Sequence, residues 1–122
     1  MRASRKLTAL VVEDEALIRA DIVDEFRKQG WAVVETASGE KAIELARERD
    51  VDVVFTDIQL SGRLKGWDVA ERLRHFLRRL AVVYTSGNTA DRSRQVSGSL
   101  FFDKPYASEK VVEACEKLVA AA

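Results

Sequence analysis

The stretch Val53-Val54-Phe55-Thr56-Asp57 decides the fold of this chain. It is a short apolar run, rich in β-branched and aromatic residues, that ends in a carboxylate. A run of this length is too short for the core face of a helix and is typical of a buried strand. Ligands bind beyond the carboxyl ends of the strands of a parallel sheet, so Asp57 is expected where chemistry occurs.

Runs of the same kind predict four further strands. Between them, apolar residues recur at helical spacing, and the connecting loops are short. Alternation of strands and helices favours parallel β-α-β units with right-handed crossovers, which predicts a doubly wound α/β fold in three layers. The spacing alone does not determine the strand order. The five predicted strands are residues 7–12, 32–37, 51–57, 81–86 and 100–102.

The same alternation predicts five helices, one after each strand. The fourth is expected to be short and polar, to open at Gly87-Asn88-Thr89 and to end near Gly98. A chain of 122 residues suits one domain, residues 1–122, with about residues 1–6 as a disordered N-terminal tail.

Composition excludes several classes of protein. Lys plus Arg equals Asp plus Glu, at 20 each, so no general attraction to nucleic acid or to anionic membranes is expected. The single cysteine, Cys115, cannot form an internal disulfide, which fits a reducing, cytoplasmic location. No stretch resembles a secretory signal or a membrane span.

Polar side chains follow four of the predicted strands. Because the carboxyl ends of parallel strands meet at one edge of the sheet, these side chains are expected to converge. They are Glu13 and Asp14 after the first strand, Asp57 at the end of the third, Ser86 at the end of the fourth and Lys104 after the fifth.

Three converging carboxylates repel one another unless a cation accompanies them. Mg²⁺ suits such a site, because it binds carboxylates and water and leaves a position for a phosphate oxygen. Lys104 adds a point charge that can pair with Asp57 or with a phosphoryl group. An acidic metal site beside a lysine and a hydroxyl, without a general base, fits phosphoryl transfer to a carboxylate.

Each of these signals alone has an ordinary structural explanation. Acidic residues after a strand often cap the next helix, and Lys-Pro and Thr-Ser-Gly are common in loops. The prediction rests on their joint occurrence at successive strand ends.

As a set, four motifs of this chain resemble the receiver domain of two-component response regulators, of the stand-alone type. The resemblance extends from about Leu7 to the last helix and implies a flavodoxin-like sheet in the order 2-1-3-4-5. The motifs are Val11-Val12-Glu13-Asp14-Glu15, Asp57-Ile58-Gln59-Leu60, Tyr84-Thr85-Ser86-Gly87 and Lys104-Pro105.

The resemblance implies a role for each site residue. Asp57 is the phosphoacceptor, which attacks the phosphohistidine of a sensor histidine kinase. Glu13, Asp14, Asp57 and the backbone carbonyl of Gln59 hold Mg²⁺. Lys104 pairs with Asp57 and then with the phosphoryl group.

Further residues are implied to relay the signal. Ser86 is the switch hydroxyl, and Phe101 is the aromatic residue that swings inward with it. Gln59 and Asn88 influence hydrolysis of the acyl phosphate. The Lys104–Pro105 peptide is expected to be cis, a sharp prediction because only about 5% of X-Pro bonds are cis.

The chain departs from the common pattern of this family in two loops. Ser61 stands where a proline is frequent, and Lys65 replaces a usual Asp before Gly66, in a loop one residue longer than the commonest form. The segment between Ser86 and Lys104 is short, so the fourth helix is expected to be small, weakly packed and mobile or unusual.

The resulting hypothesis is a phosphorylation-driven switch rather than a turnover enzyme. It signals by contact with a partner protein or passes its phosphoryl group on to a histidine phosphotransfer protein. Alternatives are a pseudo-receiver that retains the site without using it, a receiver excised from a longer regulator and a Mg²⁺-dependent phosphatase. The phosphatase would need a second Asp where Gln59 stands. A flavin-binding protein of this fold would need a phosphate-binding loop after the first strand, where acids stand instead.

Overall fold

Strands and helices alternate along most of the chain in the computed structural model, which describes residues 6–88 and 91–121. The strands are β1 (Thr8–Val12), β2 (Ala32–Thr36), β3 (Val53–Asp57), β4 (Ala81–Ser86) and β5 (Leu100–Asp103). The helices are α1 (Ala16–Lys28), α2 (Gly39–Glu48), α3 (Gly66–Phe76) and α4 (Ser108–Ala121). Residues 1–5 of the predicted tail lie outside the described residues.

All five strands form one parallel sheet in the order β2-β1-β3-β4-β5, so the predicted flavodoxin-like, doubly wound fold is confirmed. The predicted strand bounds agree with the observed ones to within two residues. Asp57 at the end of β3 lies opposite Thr85, and Ser86 at the end of β4 lies opposite Asp103. The carboxyl ends of the strands are therefore level at one edge of the sheet.

The sheet separates two apolar cores, because successive side chains of a strand point to opposite faces. On one face, Leu10, Val54 and Tyr84 belong to a core that includes side chains of α2 and α3. On the other face, Val11 and Phe55 belong to a core that includes side chains of α1 and α4. Strand β3 is buried on both faces, which explains its uninterrupted apolar run.

Local hydrogen bonds explain where α2 begins and how the chain continues after α3. Ser38 caps α2, since its Oγ accepts a hydrogen bond from the Lys41 N–H at 3.1 Å. Helix α3 ends at Phe76. Arg74 donates from its Nε to the Leu80 carbonyl at 2.7 Å, which fixes the turn that leads into β4. No helix in the described part of the chain has the length and apolar character needed to cross a membrane.

The predicted fourth helix is wrong for the residues that the structure describes. Residues 91–99 form turns, and Thr89, where the helix was expected to open, lies outside the described residues. The Asp91 side chain accepts the N–H of Ser93 at 2.9 Å, a local bond that competes with helix formation. Val96 is the one aliphatic side chain in this segment, so no apolar stripe exists to hold a helix against the sheet. The described residues thus contain four helices instead of five.

Candidate functional site

Three acidic side chains meet at the carboxyl edge of the sheet. Glu13 directly follows β1, and its N–H donates to the Thr36 carbonyl at 3.1 Å, which continues the β1–β2 ladder by one residue. Asp57 is the last residue of β3, and both Glu13 and Asp57 are buried. One carboxylate oxygen from each of Glu13, Asp14 and Asp57 lies within 4.8 Å of the other two.

Lys104 brings a cation to this cluster. Its Nζ lies 2.7 Å from Asp57 Oδ2 and 3.0 Å from Glu13 Oε1. The backbone N–H of Lys104 donates to the Ser86 carbonyl at 2.9 Å. This bond holds the residue that follows β5 beside the end of β4. The peptide that follows, Lys104–Pro105, is cis. One ammonium group is thereby set against two buried carboxylates.

A backbone N–H donates to one carboxylate oxygen of each acid. The N–H of Gln59 donates to Asp57 Oδ1 at 3.0 Å, and the N–H of Glu15 donates to Glu13 Oε2 at 3.0 Å. Asp14 Oδ2 accepts the N–H of Ser61 at 3.0 Å. The three carboxylates are therefore oriented before any ligand arrives.

The charges at the site are unbalanced. Burial raises the pKa of the Glu13 carboxyl to about 7, in spite of the hydrogen bond from Glu15 and the nearby Lys104. Burial opposes the charge on Lys104, but the hydrogen bonds to Asp57 and Glu13 outweigh it and raise the pKa of the ammonium group. Three carboxylates against one ammonium leave an excess of negative charge.

This arrangement fits a small divalent cation. Glu13 Oε1 is buried and, among the described residues, makes no hydrogen bond in addition to its ion pair with Lys104. The other possible metal-ligand atoms, from Asp14 and Asp57, are also carboxylate oxygens, the ligands that Mg²⁺ prefers. The acidic cluster is thus compatible with Mg²⁺, because all of its possible ligand atoms are carboxylate oxygens.

The expected switch residues lie on the β4 and β5 side of the site. Ser86 is buried, and its Oγ accepts the N–H of Asn88 at 3.2 Å. Phe101 is half-buried, with its ring centroid 6.1 Å from that of Trp67. The guanidinium carbon of Arg92 lies 3.8 Å from the centre of the Phe101 ring. The side chains of Gln59 and Asn88, expected to influence hydrolysis, are exposed.

One contact at the site was missed by the sequence reasoning, which treated Gly66 only as a loop marker. A Cβ atom on Gly66 would lie 2.3 Å from the carbonyl oxygen of Asp57 and 2.8 Å from the Cα of Ile58. The absence of a side chain lets the start of α3 pack directly on the backbone that carries Asp57. A glycine as the first residue of a helix was the available signal, since other residues favour that position.

Arginine contacts around the site were also missed. Arg19 donates to the Glu13 carbonyl, Arg92 pairs with Asp103, and Arg94 pairs with Asp68 and Glu71. The partners of Arg94 are 23 and 26 residues away in sequence, so no local pattern indicates them.

Comparison with known proteins gives the same family over most of the chain. The model of the response regulator receiver domain matches residues 9–116. The transcriptional regulatory protein PdtaR of Mycobacterium tuberculosis is 29% identical over 116 residues, which are 90% of this chain and 55% of PdtaR. The chain thus spans about half the length of this relative.

Two further relatives match along nearly their whole length. The polar-differentiation response regulator DivK of Brucella ovis is 28% identical over 112 residues, which cover 87% of this chain and 90% of DivK. A crystal structure of a response regulator receiver protein from Sinorhizobium medicae superposes with a TM-score of 0.91 at 32% identity, covering 96% of this chain and 97% of that one. The chain belongs to the response regulator receiver domain family.

Proposed function

We propose that this chain is a phosphorylation switch of a two-component system and that Asp57 accepts a phosphoryl group from the phosphohistidine of a sensor histidine kinase. The observation that carries the proposal is the buried Asp57 carboxylate, 2.7 Å from Lys104 Nζ and clustered with Glu13 and Asp14. Membership of the receiver family supports the same chemistry, since receiver domains are phosphorylated by histidine kinases.

The transfer exchanges one bond to phosphorus for another. An oxygen of Asp57 attacks the phosphorus, the P–O bond forms, and the N–P bond breaks with its electron pair passing to the histidine nitrogen. A carboxylate nucleophile has no proton to remove, which agrees with a site built from charges rather than around a general base. Lys104, already paired with Asp57, is placed to pair with a phosphoryl oxygen once the bond has formed.

Mg²⁺ is the proposed cofactor, held by Glu13, Asp14, Asp57 and the backbone carbonyl of Gln59. When bound, it neutralises the charge of the phosphoryl oxygens and of the surrounding acids. The buried Glu13 Oε1 and the excess of negative charge support this proposal.

The proposed output is a change on the β4–β5 side of the site. Ser86 turns toward the phosphoryl group and Phe101 moves inward with it, while Gln59 and Asn88 set the rate of hydrolysis. The hydrogen bond from Asn88 to Ser86 Oγ supports a link between the site and residues 91–99, because Asn88 begins the connection to them.

An apolar groove beside Lys104 supports a protein as phosphoryl donor. Leu17 is 88% exposed on α1, and Ile18, Pro105 and Tyr106 line the same groove. Since Lys104 lines both the groove and the site, a helix seated in the groove could present a phosphohistidine to Asp57.

The proposed setting follows from the same chemistry. The chain acts in the cytoplasm as a receiver unit over residues 1–122, without direct contact to nucleic acid or membrane. Because Asp57 is itself modified, the domain is a phosphoacceptor rather than a turnover enzyme. Output is a protein contact, or passage of the phosphoryl group to a histidine phosphotransfer protein in a phosphorelay.

Acetyl phosphate and intact-mass spectrometry test the proposal. The wild type and Asp57→Asn are incubated with the donor, each with Mg²⁺ and with EDTA. We expect a gain of one phosphoryl mass only for the wild type with Mg²⁺. A folded wild type that takes no label from acetyl phosphate or from a histidine kinase would contradict the proposal and favour the pseudo-receiver.

A further inference from the structure

Arg19, in the first turns of α1, ties that helix to the acidic strand end. Its Nη1 donates to the Glu13 carbonyl oxygen at 2.8 Å, and its Nε donates to Glu35 Oε1 on β2 at 3.2 Å. We propose that Arg19 is a positioning residue, which sets the direction of Asp14 for binding of the divalent cation. This inference rests on the proposed function.

The short connection between β1 and α1 makes this contact effective. Only Glu13, Asp14 and Glu15 separate the last residue of the strand from the first residue of the helix. The N–H of Glu13 is held by the Thr36 carbonyl and its C=O by Arg19. Both ends of the Glu13 backbone are thus fixed, and with them the peptide plane that leads into Asp14.

Asp14 depends on this peptide more than the other two acids do. Glu13 and Asp57 are buried and paired with Lys104, whereas Asp14 is half-buried and held by a hydrogen bond from the Ser61 N–H in a loop. A rotation of the peptide before Asp14 would move its carboxylate. Mg²⁺ demands near-ideal octahedral geometry at short distances, so a small displacement lowers affinity.

Glu35 holds the guanidinium group in place from the neighbouring strand. The planar fork of Arg19 donates to Glu35 and Glu13 at once, whereas a lysine has a single nitrogen and cannot reproduce this geometry. Arg27 offers a matched control on the same helix. Its Nη2 lies 4.0 Å from Glu35 Oε2, its side chain is 58% exposed, and within the described residues it donates no hydrogen bond to Glu13.

The two possible roles of Arg19, as a nearby cation or as a positioning residue, predict opposite effects of its removal on the affinity for Mg²⁺. If Arg19 acted only as a cation, its loss would remove repulsion and tighten Mg²⁺ binding. If Arg19 positions Asp14, its loss weakens Mg²⁺ binding, although a repulsive charge has been removed. Arg19→Lys separates the two explanations further, because it keeps the charge and loses the fork.

Calorimetric titration of the full chain with Mg²⁺ tests the inference. We expect Arg19→Gln and Arg19→Lys each to raise the Kd for Mg²⁺ about tenfold, as for other groups that orient metal ligands. Arg27→Gln should bind like the wild type. Wild-type or tighter binding by both Arg19 variants would overturn the inference.

A second readout does not depend on the metal. In ¹H–¹⁵N spectra of the metal-free protein, Arg19→Lys should shift the amide signals of Asp14 and Glu15, and Arg27→Gln should leave them in place. Unchanged signals in Arg19→Lys would also overturn the inference. Should Arg19→Gln fail to fold, Arg19→Lys decides the titration, because it keeps the charge and loses the fork.

The titration separates the inference from the proposed function. A folded wild type that binds no Mg²⁺ would overturn the proposed metal site, and the role of Arg19 with it. A wild type that binds Mg²⁺, together with Arg19 variants that bind it equally well, would overturn the role of Arg19 alone.

Discussion

The acidic strand-end site and residues 91–99 are neighbours in the fold but are held in opposite ways. In the site, Glu13 and Asp57 are buried and each accepts a hydrogen bond from a backbone N–H. In residues 91–99 no helix forms, and ion pairs of half-exposed side chains, such as that of Arg94 with Glu71, join the segment to α3.

The difference separates fixed geometry from easy rearrangement. Buried carboxylates that repel one another keep their positions because rigid strand ends, backbone donors and the Lys104 ammonium group hold them. Exposed ion pairs contribute little free energy each, so a segment held by them and by a few hydrogen bonds, such as that from the Val96 N–H to the Tyr84 hydroxyl, can rearrange at smaller cost than the site. A two-state switch needs both properties: one region that performs the chemistry without moving and another that moves in response.

The largest effect is expected from Gly66→Ala at the rigid site. The new Cβ would lie 2.3 Å from the carbonyl oxygen of Asp57, so backbone atoms rather than a flexible side chain would have to shift. We expect the free energy of unfolding to fall by about 3 kcal/mol, measured by urea denaturation. Gly87→Ala is the control, because the Cβ atom added at Gly87 would lie 3.9 Å from Lys104 Cβ, an ordinary contact distance. The free energy of unfolding of this variant should stay within about 0.5 kcal/mol of the wild-type value. Equal losses for the two variants would contradict the tight contact at Gly66.

Removal of the central cation should have the next largest effect. Lys104→Met leaves the buried carboxylates of Glu13 and Asp57 without their ammonium partner, so we expect a loss of about 2 kcal/mol in EDTA. Mg²⁺ should recover part of this loss. Lys41→Met, which removes an exposed pair with Glu44, serves as control and should change stability little. A Lys104→Met variant as stable as Lys41→Met would show that the carboxylates do not need the ammonium group.

A smaller effect is expected in residues 91–99. Arg94→Gln removes the ion pairs with Asp68 and Glu71, and we expect a loss of about 0.5–1 kcal/mol that shrinks as salt is added. Amide hydrogen exchange should accelerate in residues 92–99 and stay unchanged in β3. Arg78→Gln, at an exposed position just after α3, should leave exchange unchanged. Acceleration in β3 as well would mean that the segment and the sheet open together.

The smallest effect at neutral pH, where the thiol is protonated in both the folded and the unfolded chain, concerns Cys115 in the core between the sheet and helices α1 and α4. Burial raises the pKa of its thiol from about 9 to about 12. The folded protein therefore keeps a proton that the unfolded chain releases, and the free energy of unfolding should fall as the pH rises from 9 toward 12. Cys115→Ala should show a shallower fall over that range. At pH 8, a thiol reagent should modify the unfolded chain and spare the folded one, and rapid modification of the folded protein would contradict the burial.

The fold could be predicted because its signals are local. Each strand is a short apolar run, and the acids stand immediately after two of these runs, so their meeting at one edge follows from parallel pairing. The buried β3 was read in the same way. The strand order had no such signal and came from the resemblance to a family.

The segment after β4 could not be predicted because its structure depends on distant partners. Its length and position suggested a helix, but Arg94 binds α3, Arg92 lies over Phe101, and the Val96 N–H donates to the Tyr84 hydroxyl at 3.1 Å. The hydrogen bond from Arg19 to the Glu13 carbonyl could not be predicted from the sequence either, because it depends on the geometry of the three-residue connection between β1 and α1. Tertiary contacts decide these features, whereas local pattern decides the strands.

The most direct test compares amide hydrogen exchange with and without beryllium fluoride. In the presence of Mg²⁺ this compound binds to a carboxylate and mimics a phosphoryl group. If Asp57 performs the chemistry and residues 91–99 respond, the exchange of peptides covering 91–99 should change in the wild type, while β3 stays protected. Asp57→Asn should show no response. Unchanged exchange at 91–99 in the wild type, or the same change in Asp57→Asn, would contradict the link between the fixed site and the movable segment.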